Sequence, residues 1–263
     1  MTAQDTRHSA LPRLVCVLIS VCLTALAGCH AKAPTTLTLS VAASLKEAIG
    51  EAETSYRQAH PEVVFRENFG SSGTLEAQIE QGAPVDVFLS AANKPMNALA
   101  AKGLLADGSM HPLLRGTLVL IAPRDSHLAD FQGLTDPAIR SIAVGDPASV
   151  PAGQYGRQTL LSMHLLEQLQ AKLVLAGDVR QVLAYVESGN ADAGLVYATD
   201  AMTSSKVRVV AAAPEAAHDP IVYPVAVVKG RPQEQAARAF VDFLASPPAQ
   251  DIFQKHGFAI ATP

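Results

Sequence analysis

Short apolar runs alternate with helical patterns along most of the chain. The runs cover residues 37–42, 62–65, 85–89, 117–122, 141–144, 172–176, 193–197, 207–212 and 221–228. Between and after them, helical spacing of apolar positions covers 45–59, 73–81, 94–102, 152–164, 178–188, 233–245 and 248–256. Strands of this length separated by amphipathic helices predict an α/β architecture with largely parallel sheets.

Two runs exceed the others, Gly116 to Ala122 and Ile221 to Val228. They divide the chain into a first block, a middle block and a short last block. Two arrangements fit: one nine-stranded domain, or two lobes joined by two crossing strands with the last block returning to the first lobe. Pro224 has no N–H for a sheet ladder and suits an edge or a crossover better than a central strand.

The amino end follows a different pattern. Arg7 and Arg13 flank a polar start, and Leu14 to Leu26 is free of charge but too short to span a bilayer comfortably. It ends in Leu26-Ala27-Gly28-Cys29, which resembles the lipobox of bacterial lipoproteins, in which the leader is cleaved before a cysteine that is then acylated. Residues 1–28 are therefore expected to be a lipoprotein signal peptide, Cys29 the lipidated residue and 29–36 a tether. The alternative is an ordinary signal peptide with an incidental cysteine. Cys16, Cys22 and Cys29 are the only cysteines, so the chain beyond residue 29 has no thiolate site and no disulfide. That suits an oxidising, extracytoplasmic compartment.

The whole chain carries a formal charge of −4. Without residues 1–28, which hold Arg7, Arg13 and Asp5, 18 basic residues face 23 acidic ones, a charge of −5. A mildly acidic surface argues against a nucleic-acid partner, which calls for a basic footprint. The six histidines beyond the tether (His60, His111, His127, His164, His218 and His256) form no pair at a metal-ligand spacing, so no metal site and no cofactor are expected.

Candidate chemistry sits where strands hand over to helices. The run 37–42 stops at Ala43-Ser44, and Val63-Val64-Phe65 leads to Gly70-Ser71-Ser72-Gly73-Thr74. The first turn of a helix has unpaired N–H groups and a partial positive charge, so small residues there can hold an anion without lysine or arginine. Read otherwise, Ser44 and Ser72 are ordinary helix caps. The middle block adds Pro151-Ala152-Gly153, with proline at a helix start and bare amides beside it. It also adds Asp178, an N-cap that would orient the Val179 amide. Tyr197 ends the strand Gly194-Leu195-Val196-Tyr197, either facing a ligand or packing in the core.

Taken in order, these segments resemble the periplasmic molybdate-binding proteins of ABC importers. The likeness is carried by Val41 to Leu45, Phe69 to Leu75, Gly82 to Ala91, Val144-Gly145-Asp146-Pro147 through Tyr155, Glu187 to Ala201, Tyr223 to Val228 and Ile252 to Phe258. It covers residues 37 to 260. The resemblance implies a type II periplasmic-binding-protein fold with two α/β lobes, two crossover strands and a ligand cleft between the lobes. The lobes it implies are 37–116 plus 226–263, and 117–225. By motif, the oxyanion contacts fall on Ser44, Ser72, Ala152, Val179 and Tyr197. Gly73 departs from the pattern, since some relatives carry a third serine there; it would loosen the loop without removing a contact. Branches of the family that use carboxylate ligands are not matched at the Pro-Ala-Gly and valine positions, so the four-oxygen anion is expected to bind intact, with no direct metal ligand.

Elementary chemistry agrees with that implication. Molybdate is a dianion that only accepts hydrogen bonds, and hydroxyls, amides and helix N-termini mainly donate. Phosphate retains a proton over part of the neutral range and needs an acceptor for it, which such a pocket lacks. Sulfate must be separated by size.

The reading is thus a monomeric, non-enzymatic binding lipoprotein on the extracytoplasmic face of a membrane, which delivers molybdate, and tungstate, to an ABC permease. The alternatives are a binding protein for sulfate or another tetrahedral oxyanion, and an exported hydrolase with Ser44 or Ser72 as nucleophile. Against the hydrolase, no Gly-x-Ser-x-Gly elbow is present and neither serine has an evident histidine partner. A ligand-sensing regulator domain is opposed by the export signal and by the want of a DNA-binding segment.

Overall fold

The structure, a computed structural model, describes residues 34–261 and Thr2. The expected leader and the lipidation site Cys29 lie outside the described residues. The elements run β1 (Thr35–Ala42), a 3-10 turn (Ala43–Leu45), α1 (Lys46–Ala59), β2 (Val63–Gly70), α2 (Ser72–Glu80), β3 (Val87–Leu89), α3 (Asn93–Ala101), β4 (His111–Arg115) and β5 (Leu118–Pro123). There follow β6 (Ile142–Gly145), α4 (Pro151–Ser162), α5 (Leu166–Leu169), β7 (Leu173–Ala176), α6 (Val179–Glu187), β8 (Ala193–Tyr197), α7 (Ala198–Ala201) and β9 (Val207–Ala212). The last are β10 (Val222–Val227), α8 (Glu234–Leu244), α9 (Pro247–Lys255) and β11 (Ala259–Ile260).

Local sequence accounts for most of these elements. On α1 the buried positions Ala48, Ile49, Ala52, Glu53 and Tyr56 follow helical spacing. Pro151 opens α4, where its missing N–H has no intrahelical acceptor to lose. Asp178 caps α6, its side chain accepting from the Gln181 amide at 2.9 Å. The core of the first sheet is sealed by Tyr56, Phe65 and Phe240, with ring centroids 5.1 Å apart for Tyr56–Phe240 and 4.7 Å for Phe65–Phe240.

The strands form two sheets, ordered β11-β4-β10-β3-β1-β2 and β7-β6-β8-β5-β9. With their helices they make two lobes. The chain leaves the first sheet after Arg115, enters the second at Leu118, and returns between Ala212 and Val222. Residues 222–225, expected in the second lobe, therefore pair in the first sheet.

The largely parallel pairing expected from the alternation is only half of the picture. β1 pairs parallel with β2 and β3, and β6 with β7 and β8. The strands bordering the two chain passages, β4, β5 and β10, pair antiparallel with their neighbours. A strand that returns from another lobe is not bound by the right-handed helical crossover that makes neighbours parallel.

Pro224 sits on the strand that follows the second chain passage, as the crossover alternative has it, but β10 is not an edge, since it lies inside its sheet. The register shifts between Tyr223 and Pro224, so the missing donor falls at a bulge. The Pro224 carbonyl still accepts from the Ser90 amide at 3.0 Å. β4 and β11 are two strands that the apolar pattern does not reveal; His111–Arg115 contains a proline and β11 has only Ala259–Ile260.

Candidate oxyanion site

A small, water-sized cavity of about 10 Å³ lies where the two lobes face each other. The first lobe lines it with Ala42, Ala43, Ser44, Gly70, Ser71, Ser72 and Ala91, and the second with Val150, Pro151, Ala152, Asp178, Val179 and Tyr197. Ser44, Ser72, Ala152, Val179 and Tyr197, far apart in sequence, thus line one space.

Neither serine serves as the cap that one reading of the sequence made of it. Ser71 is the N-cap of α2, its hydroxyl accepting from the Thr74 amide at 3.3 Å. Ser72 Oγ accepts from the Ala91 amide at 2.9 Å. Because a hydroxyl has one proton and two lone pairs, that bond leaves the Ser72 proton free to donate. Ser44 lies in the 3-10 turn, makes no capping bond, and is hydrogen-bonded to the Tyr223 hydroxyl at 3.3 Å. Tyr223 comes from β10 and was not singled out by sequence. Its ring also meets Tyr197 edge-on at 5.5 Å between centroids.

Tyr197 is 1% exposed, and its hydroxyl has no partner among the described residues. An unpaired buried donor calls for an explanation. Burial above all, then Tyr223, Tyr155 and Asp200, hold its pKa well above the usual phenol range, so the proton stays on. The Tyr197 amide donates to the Asp200 carboxylate at 3.2 Å. Asp200 is fully buried, and burial raises its pKa to about 7 against the pull of Arg180 and the Tyr197 amide.

The backbone contributes the remaining donors. α2, α4 and α6 begin at the cavity, and first-turn amides have no intrahelical acceptor. Gly153 seats the start of α4 on the end of β6: a Cβ there would lie 2.0 Å from the Gly145 carbonyl oxygen. Gly73 does not loosen its loop as expected. Its amide donates to the Ser149 carbonyl at 2.9 Å, and a Cβ would come within 2.7 Å of that oxygen, so the missing side chain lets the two lobes touch. No lysine or arginine is among the residues lining the cavity. The one carboxylate there, Asp178, is engaged in capping α6. Among the described residues no cluster of His, Cys, Asp and Glu suits a metal ion.

The chain matches the bacterial extracellular solute-binding protein family over residues 37–259. YvgL of Bacillus subtilis (strain 168), provisionally named an ABC transporter substrate-binding lipoprotein, is 39% identical over 244 residues, spanning 92% of this chain and 93% of that protein. The molybdate-binding protein ModA of Escherichia coli (strain K12) is 39% identical over 230 residues, 85% of this chain and 89% of that protein. The solved periplasmic molybdate-binding protein of Azotobacter vinelandii superposes with a TM-score of 0.78 at 27% identity, covering 86% of this chain and 100% of that one. The two sheets flanking one cleft are the two lobes of this class of binding protein, and the chain belongs to the family of bacterial extracellular solute-binding proteins.

Proposed function

We propose that this protein captures molybdate, and tungstate, outside the cytoplasm and delivers it to the permease of an ABC transporter. The relatives' names supply the ligand and the transporter. The observation that carries the reading is a cavity between two lobes furnished with donors and no cation: the hydroxyls of Ser44, Ser72 and Tyr197, and the helix starts at Ala152 and Val179.

A dianion with four acceptor oxygens matches such a set. Three helix N-termini at about 0.3–1 kcal/mol each, added to hydrogen bonds with a charged group at about 1.5–3 kcal/mol each, offset lost hydration only if most contacts form together. Phosphate brings a proton, whereas the hydroxyls, amides and helix starts of the cavity mainly donate; the one carboxylate in the lining, Asp178, is oriented by the Gln181 amide at the α6 cap. Sulfate is smaller and leaves some donors out of reach, because closure stops where Gly73 meets Ser149. The role is binding without a catalytic step. Lipid at Cys29 tethers a monomer to the membrane beside its permease.

Calorimetric titration with molybdate, tungstate, sulfate and phosphate tests the reading. Molybdate and tungstate are expected to bind far more tightly than sulfate, with phosphate scarcely binding. Equal affinity for sulfate, or tight phosphate binding, identifies a different ligand.

A further inference from the structure

Arg180, the residue after Val179, projects one guanidinium to three partners. Its Nε is ion-paired with Asp200 Oδ1 at 2.9 Å, and its Nη1 donates to Thr203 Oγ1 at 3.0 Å. Thr203 Oγ1 in turn donates to the Asp200 carbonyl at 2.8 Å. These partners all belong to the second lobe. The remaining nitrogen, Nη2, crosses the cleft to Glu47 Oε2 in the first turn of α1.

Each charged member neighbours a cavity residue in sequence. Glu47 lies one helical turn after Ser44, Arg180 follows Val179, and Asp200 lies in the short helix that starts from Tyr197. Burial is graded: Asp200 is fully buried, Arg180 half-buried, and Glu47 exposed. Buried Asp200 holds the guanidinium in place from below, and the exposed end is the part that can let go.

We propose that Arg180 is a positioning residue that latches the two lobes: anchored on Asp200 and Thr203, it grips Glu47 only when the cleft is closed and so holds Ser44 at bonding distance from a ligand seated on Val179 and Tyr197. The proposal rests on the oxyanion-binding reading above. Opening the cleft separates Glu47 from Arg180 and leaves the second-lobe contacts intact, so the latch acts on the closed state alone. A group that favours one of two states shifts affinity by its differential contribution and acts mainly on the release rate.

Glu47 is the residue to change, because removing Arg180 strands the Asp200 charge and risks the fold. Glu47→Gln is expected to weaken molybdate binding roughly three- to ten-fold, between the worth of an exposed ion pair and that of a charge-assisted bond. Glu47→Lys, which places like charges together, is expected to weaken it further. Both are expected to release molybdate faster while the unliganded melting temperature stays within a few degrees of the parent's. Added salt is expected to weaken the parent more than Glu47→Gln. Small-angle scattering without ligand provides an independent reading: Glu47→Lys is expected to have the larger radius of gyration. If the parent binds no oxyanion yet Glu47→Lys expands, the latch stands and the ligand assignment fails. Parent-like affinity and radius in both variants overturn the latch, as does a loss of melting temperature with unchanged affinity.

Discussion

The Ser44 hydroxyl and the Tyr223 hydroxyl, 179 positions apart in the chain, are hydrogen-bonded at 3.3 Å. The bond ties the first strand-to-helix junction to β10, the strand that returns from the second lobe. When the Tyr223 hydroxyl donates to one lone pair of Ser44, the serine keeps its proton for an anion in the cavity. Tyr223→Phe is therefore expected to weaken molybdate binding about 2- to 12-fold, the worth of one ordinary hydrogen bond. Ser44→Ala, which removes the ligand's own donor, is expected to weaken it about 10- to 150-fold. Titration calorimetry of the two variants checks the order, and an equal or reversed effect contradicts it.

Tyr197 and Ser72 contrast in what they leave behind. The Tyr197 hydroxyl has no protein partner among the described residues, so Tyr197→Phe removes an unsatisfied buried group. That variant is expected to melt at or above the parent's temperature without ligand, yet to lose about 10- to 150-fold in molybdate affinity. Ser72→Ala instead deprives the Ala91 amide of its acceptor and is expected to lose about 1–3 kcal/mol of stability as well as affinity. Thermal melts with and without molybdate separate the two patterns. A destabilised Tyr197→Phe contradicts the first.

Glu53 gives the fold a pH dependence. It lies on α1 at 3% exposure, its Oε1 is unpartnered among the described residues, and burial first, then Glu67, raise its pKa from 4.5 to about 9. A folded pKa above the unfolded one means that protonation favours the fold. The contribution is whole below about pH 4.5 and is lost as pH rises toward about 9. Glu53→Gln keeps the neutral form, so its stability advantage over the parent is expected to grow across that window, by at most about 1.4 kcal/mol per pH unit. Urea denaturation at several pH values measures the margin. A margin that does not change with pH rules the explanation out.

Lipidation has a direct readout. Cys29→Ser is expected to release the protein into the soluble exported fraction or to leave the precursor unprocessed. Fractionation with a size shift on gels distinguishes these outcomes from unchanged membrane partitioning, which removes the lipobox reading.

Much of the architecture is written locally. The period of the apolar positions sets α1, α6 and α8 within a residue or two of their expected limits, because helix formation responds to neighbours one turn away. The junctions at Ser44, Ser72, Ala152 and Val179 are legible for the same reason: a strand, a small-residue turn and a helix follow each other in the chain. The aspartate cap of α6 was equally visible, since its acceptor and donor are Asp178 and Gln181.

Contacts between distant segments had no such local signal. Apolar runs look alike whether their neighbours run parallel or antiparallel, so only the assembled sheets place β10 in the interior and Pro224 at its bulge. Ser71 and Ser72 are adjacent and chemically identical, yet packing alone makes one the cap and gives the other the Ala91 amide. Gly73 reads as a looser loop until Ser149 is brought against it. Tyr223 beneath Ser44 joins distant segments of the first lobe, and Arg180 against Glu47 joins the two lobes. Such pairs are selected by the free energy of the whole packed chain, which no stretch of sequence contains.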